Sequence, residues 1–140
     1  MIYIGISLKK QHVHAVAMAG GFEPVGQFSC NSKHHLKCLA WLENLSMDLT
    51  ENIIAFVDDC EFSQFKQYHK NIFFDNNLFH KIYLVKHRRL SKLISFLMGY
   101  HVYAVKSIPP VDKTFILACS LKIFSKNDLY QWNPEDDLPF

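Results

Sequence analysis

Residues 1–21, MIYIGISLKKQHVHAVAMAGG, carry the clearest strand and turn patterns of the sequence. Its isoleucines at positions 2, 4 and 6 alternate with other residues, which predicts a strand over residues 2–7 with one apolar face. The polar Lys9-Lys10-Gln11 turn leads into a second strand over residues 13–18. Gly20-Gly21 then predicts a hairpin turn, because glycine adopts positive φ at no steric cost. With a third strand over residues 24–29, this region forms an antiparallel meander.

Beyond the meander, helical and strand patterns alternate. Ser32 is a candidate N-cap of the first helix, and the leucines at 90, 93 and 97 with Ile94 mark one face of a later one. The elements predicted from these patterns are a helix after Ser32, a buried parallel strand over 52–57, a helix over 61–74, a strand over 81–85, a helix around 90–97 and a helix over 111–124. This order predicts an α/β fold of the RNase H-like class, a five-stranded mixed sheet with helices on both faces. We assign residues 1–127 to this domain and 128–140 to an acidic irregular tail.

The composition is that of a globular domain. Hydrophobic residues make up 49% of the 140 and charged residues 20%, which excludes a disordered chain. No apolar run reaches the roughly 18 residues of a membrane-spanning helix. The start of the chain has no basic region typical of a secretory signal. We therefore expect a cytoplasmic protein without a membrane partner.

The charges are distributed unevenly although the formal net charge is only +2. Residues 62–106 contain eight lysines and arginines and a single acid, Asp75, whereas Glu135, Asp136 and Asp137 make the end acidic. A basic middle favours a polyanionic partner, and a solvated charged face explains the pattern equally well.

Cysteine and histidine spacings do not indicate a metal site. Cys30, Cys38, Cys60 and Cys119 form no C-x-x-C pair, so we interpret them as buried free thiols. The eight histidines are scattered along the chain, which favours surface or half-buried roles over ligation of a metal.

Acidic residues mark one candidate catalytic site. Two-metal cleavage of a phosphodiester needs several carboxylates at one point, here the carboxyl ends of the first and fourth strands. The first strand offers Ser7, the fourth ends at Asp58 and Asp59, and Asp112 precedes the last helix. The alternative is that Asp58 and Asp59 only end a strand and favour the dipole of the next helix.

The sequence also resembles a known family, the DEDD-type insertion-sequence transposases, which comprise bridge-RNA-guided recombinases and pilin-gene invertases. The resemblance runs in order through YIGISLKK, AFVDD, KIYLVKHRRLSKLISFLMG, PPVDKTFILA and LYQWNP. It implies an RNase H-like (RuvC-like) domain that contacts guide RNA and DNA and takes part in recombinase assembly. The family continues into a coiled coil and a domain with a catalytic serine, and we expect no counterpart of either within these 140 residues.

Carried over by position, the resemblance implies that two of the four family acids are replaced. The first becomes Ser7 and the third becomes Pro109, while Asp58 (with Asp59 as a neighbouring substitute) and Asp112 retain the other two. Asp58, Asp59 and Asp112 are thus the remnant catalytic site, with Asp58 and Asp112 as ligands of Mg²⁺ if nuclease activity survives.

The function expected from the sequence is therefore a degenerate transposase domain that binds DNA or RNA, or a recombinase partner or second copy of itself, without efficient cleavage. The residues expected to contact phosphates are Lys86, Arg88, Arg89, Lys92, Lys9 and Lys10. Two alternatives are a structural or interaction protein of actin-like or pilus-assembly type, and a residual magnesium-dependent nuclease.

Overall fold

The computed structural model describes residues 1–21, 23–49, 51–74, 78–98 and 110–133. Its centre is a mixed sheet of six strands, β1 (Ile2–Lys9), β2 (His12–Met18), β3 (Pro24–Asn31), β4 (Ile53–Asp58), β5 (Phe79–Val85) and β6 (Leu129–Trp132). These strands follow the order β3-β2-β1-β4-β5-β6 across the sheet.

The predicted meander and the two parallel strands are confirmed. β2 pairs antiparallel with both β1 and β3, while β4 lies parallel to β1 and β5 lies parallel to β4. The reason given for the hairpin turn was wrong, because neither Gly20 nor Gly21 has a φ in the left-handed region.

The sheet has one strand more than the sequence analysis predicted. β6 pairs antiparallel with β5, with Ile82 opposite Trp132 and Val85 opposite Leu129. A division at residue 127 with an irregular tail from 128 is therefore wrong, since Leu129–Trp132 belongs to the sheet. Trp132 is buried against Phe62 and Phe74, which explains why the strand returns to the domain.

One face of the sheet is covered by the first three helices. These are α1 (His35–Leu49), which follows a 3₁₀ turn at Ser32–His34, α2 (Asp59–Phe65) and α3 (Lys70–Phe73). The even-numbered side chains of β1 pack here with Leu42, Phe62 and Ile72, and all of these are buried. This apolar cluster is the larger part of the core.

The opposite face is covered by α4 (His87–Met98) and α5 (Pro110–Ala118), with the short α6 (Ser120–Ile123) following. Leu90 and Ile94 of α4 are buried against Phe56 and Val85, as the predicted apolar face requires. α5 lies directly on β1 at Gly5, where an added Cβ would overlap the carbonyl oxygen of Thr114. The absence of a side chain at Gly5 therefore brings α5 into contact with the sheet.

The cysteine prediction is correct at three positions and wrong at one. Cys30, Cys38 and Cys119 are buried, and all four cysteines are free thiols, but Cys60 is exposed. Burial raises the pKa of Cys38 to about 12, so that thiol stays protonated. Among the described residues, no helix is long and apolar enough to cross a membrane.

Candidate functional site

The candidate site lies at the carboxyl edge of the three parallel strands. β1, β4 and β5 are neighbours and run in the same direction, so their last residues meet at one edge of the sheet. The residues that come together there, called the Asp58 cluster below, are Ser7, Asp58, Asp59, Glu61, His87 and Lys113.

Asp58 is the buried centre of the cluster. Its side chain is 0% exposed, and its Oδ1 accepts backbone hydrogen bonds from Cys60 N (2.8 Å) and Glu61 N (3.4 Å). Asp58 is therefore the N-cap of α2, and its Oδ1 has the helix-capping role that the sequence analysis gave as the alternative. The other oxygen, Oδ2, lies 2.7 Å from Lys113 Nζ and 2.7 Å from His87 Nδ1. Both carboxylate oxygens are therefore engaged by the protein itself.

Lys113 places its ammonium between two carboxylates. Its Nζ contacts Asp58 Oδ2 at 2.7 Å and Glu61 Oε2 at 3.0 Å, and its side chain is only 17% exposed. Burial alone would lower the pKa of Lys113, but Glu61 and Asp58 raise it above its ordinary value. Burial likewise opposes ionisation of Asp58, and Lys113 together with His87 lowers its pKa overall. Both shifts favour the ionised pair.

Glu61 connects the cluster to the end of β1. Its Oε1 accepts hydrogen bonds from Leu8 N (3.1 Å) and from Ser7 Oγ (3.4 Å). Ser7 thus occupies the first-strand position beside the acids and donates its hydroxyl to a carboxylate. The separation of these partners along the chain is more than fifty residues, so this contact exists only in the folded protein.

Asp59 and His87 hold the start of α4 against the cluster. His87 donates its backbone N–H to Asp59 Oδ1 at 3.0 Å, and Tyr130 of β6 donates its hydroxyl to Asp59 Oδ2 at 3.4 Å. The second ring nitrogen of His87, Nε2, lies 3.2 Å from Ser91 Oγ. The imidazole is therefore oriented at both nitrogens, while nearly half of it, 46%, remains exposed.

This arrangement does not fit a pair of magnesium ions. Magnesium binds oxygen ligands and in such sites relies on carboxylates that are free to coordinate. Here the first-strand ligand is a hydroxyl, and Lys113 already supplies a cation to Asp58 and Glu61. The ammonium already neutralises part of the carboxylate charge, so the remaining charge is too small to hold two dications next to each other.

The structure describes only part of the acidic set predicted from the sequence. Asp58 and Asp59 lie where the fourth strand ends, as predicted. Asp112 lies in α5, next to Lys113, but its side chain is outside the described part of the structure, and Pro109 lies outside the described residues altogether. The expected magnesium ligation by Asp58 and Asp112 stays a prediction.

The basic residues predicted to contact phosphates lie on elements that meet the same edge of the sheet as the cluster. This group, called the basic rim below, consists of Lys9 and Lys10 at the end of β1 and of Lys86, Arg88, Arg89 and Lys92 at the end of β5 and on α4. All six are exposed. Lys10 Nζ lies 5.7 Å from the centre of the Tyr68 ring, and Arg89 Nε forms an ion pair with Asp128 Oδ1 at 3.3 Å.

Three residues of the cluster were not identified from the sequence, namely Glu61, His87 and Lys113. The spacing Asp58-x-x-Glu61 contained a signal for the first, because an acid three residues after an N-cap is typical of a helix start. His87 lies two residues after the end of a parallel strand, close to the usual position for site residues. No local pattern distinguishes Lys113 from other helical lysines.

Comparison of the chain with models of known protein families and with curated proteins found no match.

Proposed function

We propose that this chain is an RNase H-like domain that binds nucleic acid through the basic rim and does not cleave it. The proposal rests above all on Lys113, whose ammonium contacts Asp58 and Glu61 at the position where a nuclease of this fold needs a metal ion. The strand order β3-β2-β1-β4-β5, with only β2 antiparallel to the other four, is compatible with that fold.

The rim supports the binding half of the proposal by its position. Lys9 ends β1, Lys10 follows it, and Lys86 follows β5. Two strand spacings, about 10 Å, separate these two strands. Arg88 and Lys92 are four residues apart on α4 and so share one face of that helix. Exposed cations on both sides of one edge suit a phosphate backbone, whose contacts give affinity with little sequence information.

The charge of the Asp58 cluster supports the second part of the proposal, that bound nucleic acid is not cleaved. Asp58, Asp59 and Glu61 carry three negative charges if ionised, and Lys113 offsets one of them from inside. An internal counter-ion lowers the net negative charge of the site and so weakens its attraction for magnesium. The hydroxyl of Ser7 adds no charge to compensate. Cleavage by water would then lack both the activated nucleophile and the stabilised leaving oxygen.

The test compares binding of short labelled single- and double-stranded DNA and RNA across a salt series. Because each lost phosphate contact reduces the slope of log K against log salt by about 1, the Arg88→Ala/Lys92→Ala variant should lose affinity and about 2 units of slope. The matched control is Lys33→Ala/Lys37→Ala, which removes two exposed lysines from the region of α1.

Equal losses in the two double variants would contradict the assignment of the rim, because they would indicate a general charge effect. Absence of binding by the wild-type protein at low salt would contradict the proposed function as a whole. It would favour the interaction-protein alternative, for which a partner bound independently of salt is expected.

A further inference from the structure

A second set of donor atoms meets on the solvent side of the Asp58 cluster. A carboxylate oxygen of Asp58, Sγ of Cys60 and a ring nitrogen of His87 all lie within 4.8 Å of one another. Cys60 and His87 are exposed, whereas Asp58 is buried, so the three atoms form a shallow site with one closed side. Lys113 and Glu61 belong to the cluster but contribute no atom to this group.

We propose that Asp58, Cys60 and His87 form a binding site for a thiophilic divalent metal ion, with zinc as the best match. Oxygen, sulfur and imidazole nitrogen are the three ligand types that zinc accepts in proteins. Magnesium does not compete for such a set, since it demands oxygen ligands in near-octahedral geometry.

The spacing of the donors suits a tetrahedral ion after small side-chain movements. Bonds of about 2.0 Å to nitrogen and oxygen and about 2.3 Å to sulfur separate tetrahedral ligands by about 3.3 to 3.6 Å. His87 Nδ1 and Asp58 Oδ2 are 2.7 Å apart and share a proton, so they separate by roughly half an ångström. The metal takes the place of that proton, which moves to Nε2 as the neutral imidazole changes tautomer, and of the thiol proton of Cys60, which passes to solvent.

Neighbouring residues already hold the ligands in the orientation a metal requires. A metal-bound histidine commonly donates its other ring N–H to an oxygen, and Ser91 Oγ lies 3.2 Å from His87 Nε2. The Nδ1 atom is thereby left for the metal. The carboxylate of Asp58 is fixed by the backbone N–H of Cys60 at 2.8 Å.

The local charge also suits a dication. The cluster contains three carboxylates, from Asp58, Asp59 and Glu61, and one ammonium, from Lys113, which gives a net charge of −2 when His87 is neutral. Lys113 repels a metal at Asp58, and the thiolate of Cys60 would add a further negative charge that offsets this. The three protein ligands leave the fourth position open to water from the exposed side.

The test uses the metal alone, titrating Co²⁺ into the purified, chelator-treated protein and then displacing it with Zn²⁺. One equivalent should give the visible bands of four-coordinate cobalt and a thiolate charge-transfer band, and zinc should abolish both. Cys60→Ser should remove the charge-transfer band and weaken binding at least 10-fold. His87→Ala should weaken binding at least 10-fold, and Ser91→Ala by a smaller factor.

His34→Ala is the matched control, because His34 is an exposed histidine outside the cluster, and it should bind cobalt like the wild type. Circular dichroism and thermal melting establish that each variant is folded, which is expected since Cys60 and His87 are exposed. Six-coordinate cobalt without a charge-transfer band, or unchanged affinity in both Cys60→Ser and His87→Ala, would overturn the proposal. The result is independent of nucleic-acid binding, which the salt series measures.

Discussion

The Asp58 cluster and the basic rim lie at one edge of the sheet, but cations are paired with carboxylates in the cluster and are mostly exposed on the rim. In the cluster, Lys113 is 17% exposed and bonded to two carboxylates. On the rim, Arg88 and Lys92 are exposed, and the described part of the chain provides neither with a carboxylate partner. The ammonium inside the fold is therefore matched by carboxylates of the chain, while the charges of Arg88 and Lys92 are available for a partner.

The largest expected effect comes from removing the internal cation. Lys113→Met leaves Asp58 and Glu61 facing each other without a counter-ion, which should lower the free energy of unfolding by about 3 kcal/mol. Urea denaturation measures the change. The control Lys92→Met removes an exposed lysine and should cost less than about 0.5 kcal/mol. Similar losses in both variants would mean that Lys113 is no more important to the fold than a surface lysine.

A somewhat smaller effect is expected where α5 is seated on the sheet. In Gly5→Ala the new Cβ meets the carbonyl oxygen of Thr114 and lies 2.6 Å from Ala118 N, so α5 must shift. We expect a loss of about 2 kcal/mol, typical of overpacking. The helix also carries Lys113, so its ion pairs should loosen.

Gly20→Ala is the control for this substitution, because an added Cβ there meets only Met1 O at 3.9 Å. Equal stability of the two variants in thermal melts would show that the close approach of α5 to β1 is not required.

A buried histidine, His69, should make the stability of the fold depend on pH. His69 is 2% exposed, and its Nε2 lies 2.8 Å from Lys9 O. Burial lowers the pKa of His69 below 6.5, with a smaller contribution from His12 and an opposing one from the Lys9 carbonyl. Below about pH 6.5 the unfolded chain therefore binds more protons than the folded one, and stability should fall as the pH drops through this range.

The urea midpoint of unfolding should therefore be lower at a pH well below about 6.5 than at a pH above it. His69→Gln keeps a donor for Lys9 O but does not titrate, so its midpoint should depend less on pH. Part of the dependence should remain, because burial also lowers the pKa of His14. A variant with the full pH dependence of the wild type would exclude His69 as its source.

The smallest effect on stability is expected on the rim. Arg88→Ala/Lys92→Ala should change the free energy of unfolding by less than about 0.5 kcal/mol, since both side chains are exposed on α4. The same variant should lose nucleic-acid affinity, so binding and stability would separate. If it unfolded more readily by several times that amount, the rim would be part of the fold rather than a surface for a partner.

Much of the sheet could be predicted because its strands carry local patterns. Ile2, Ile4 and Ile6 give β1 its period of two, and the apolar run before Asp58 marks β4. β6 could not be predicted in this way, because only four residues pair with β5 and they resemble an irregular tail until Trp132 meets Phe62. A short edge strand is defined by its partners more than by its own sequence.

The candidate site shows the same limit. Asp58 was identified because it ends a buried strand, a position visible in the sequence. Lys113 was not, because it reaches Glu61 across 52 residues and is brought there by the packing of α5 on Gly5. The tertiary structure decides which charged side chains pair with each other. The sequence near Lys113 contains no local signal for its pairing with Asp58 and Glu61.

The most direct test of the account is one incubation of the wild-type protein with labelled DNA and RNA, with and without magnesium, followed by binding and denaturing-gel measurements on the same samples. We expect binding that weakens as salt rises, with the strands recovered intact whether or not magnesium is present. Magnesium-dependent cleavage would contradict the role given to Lys113, and absence of binding at low salt would contradict the role given to the basic rim.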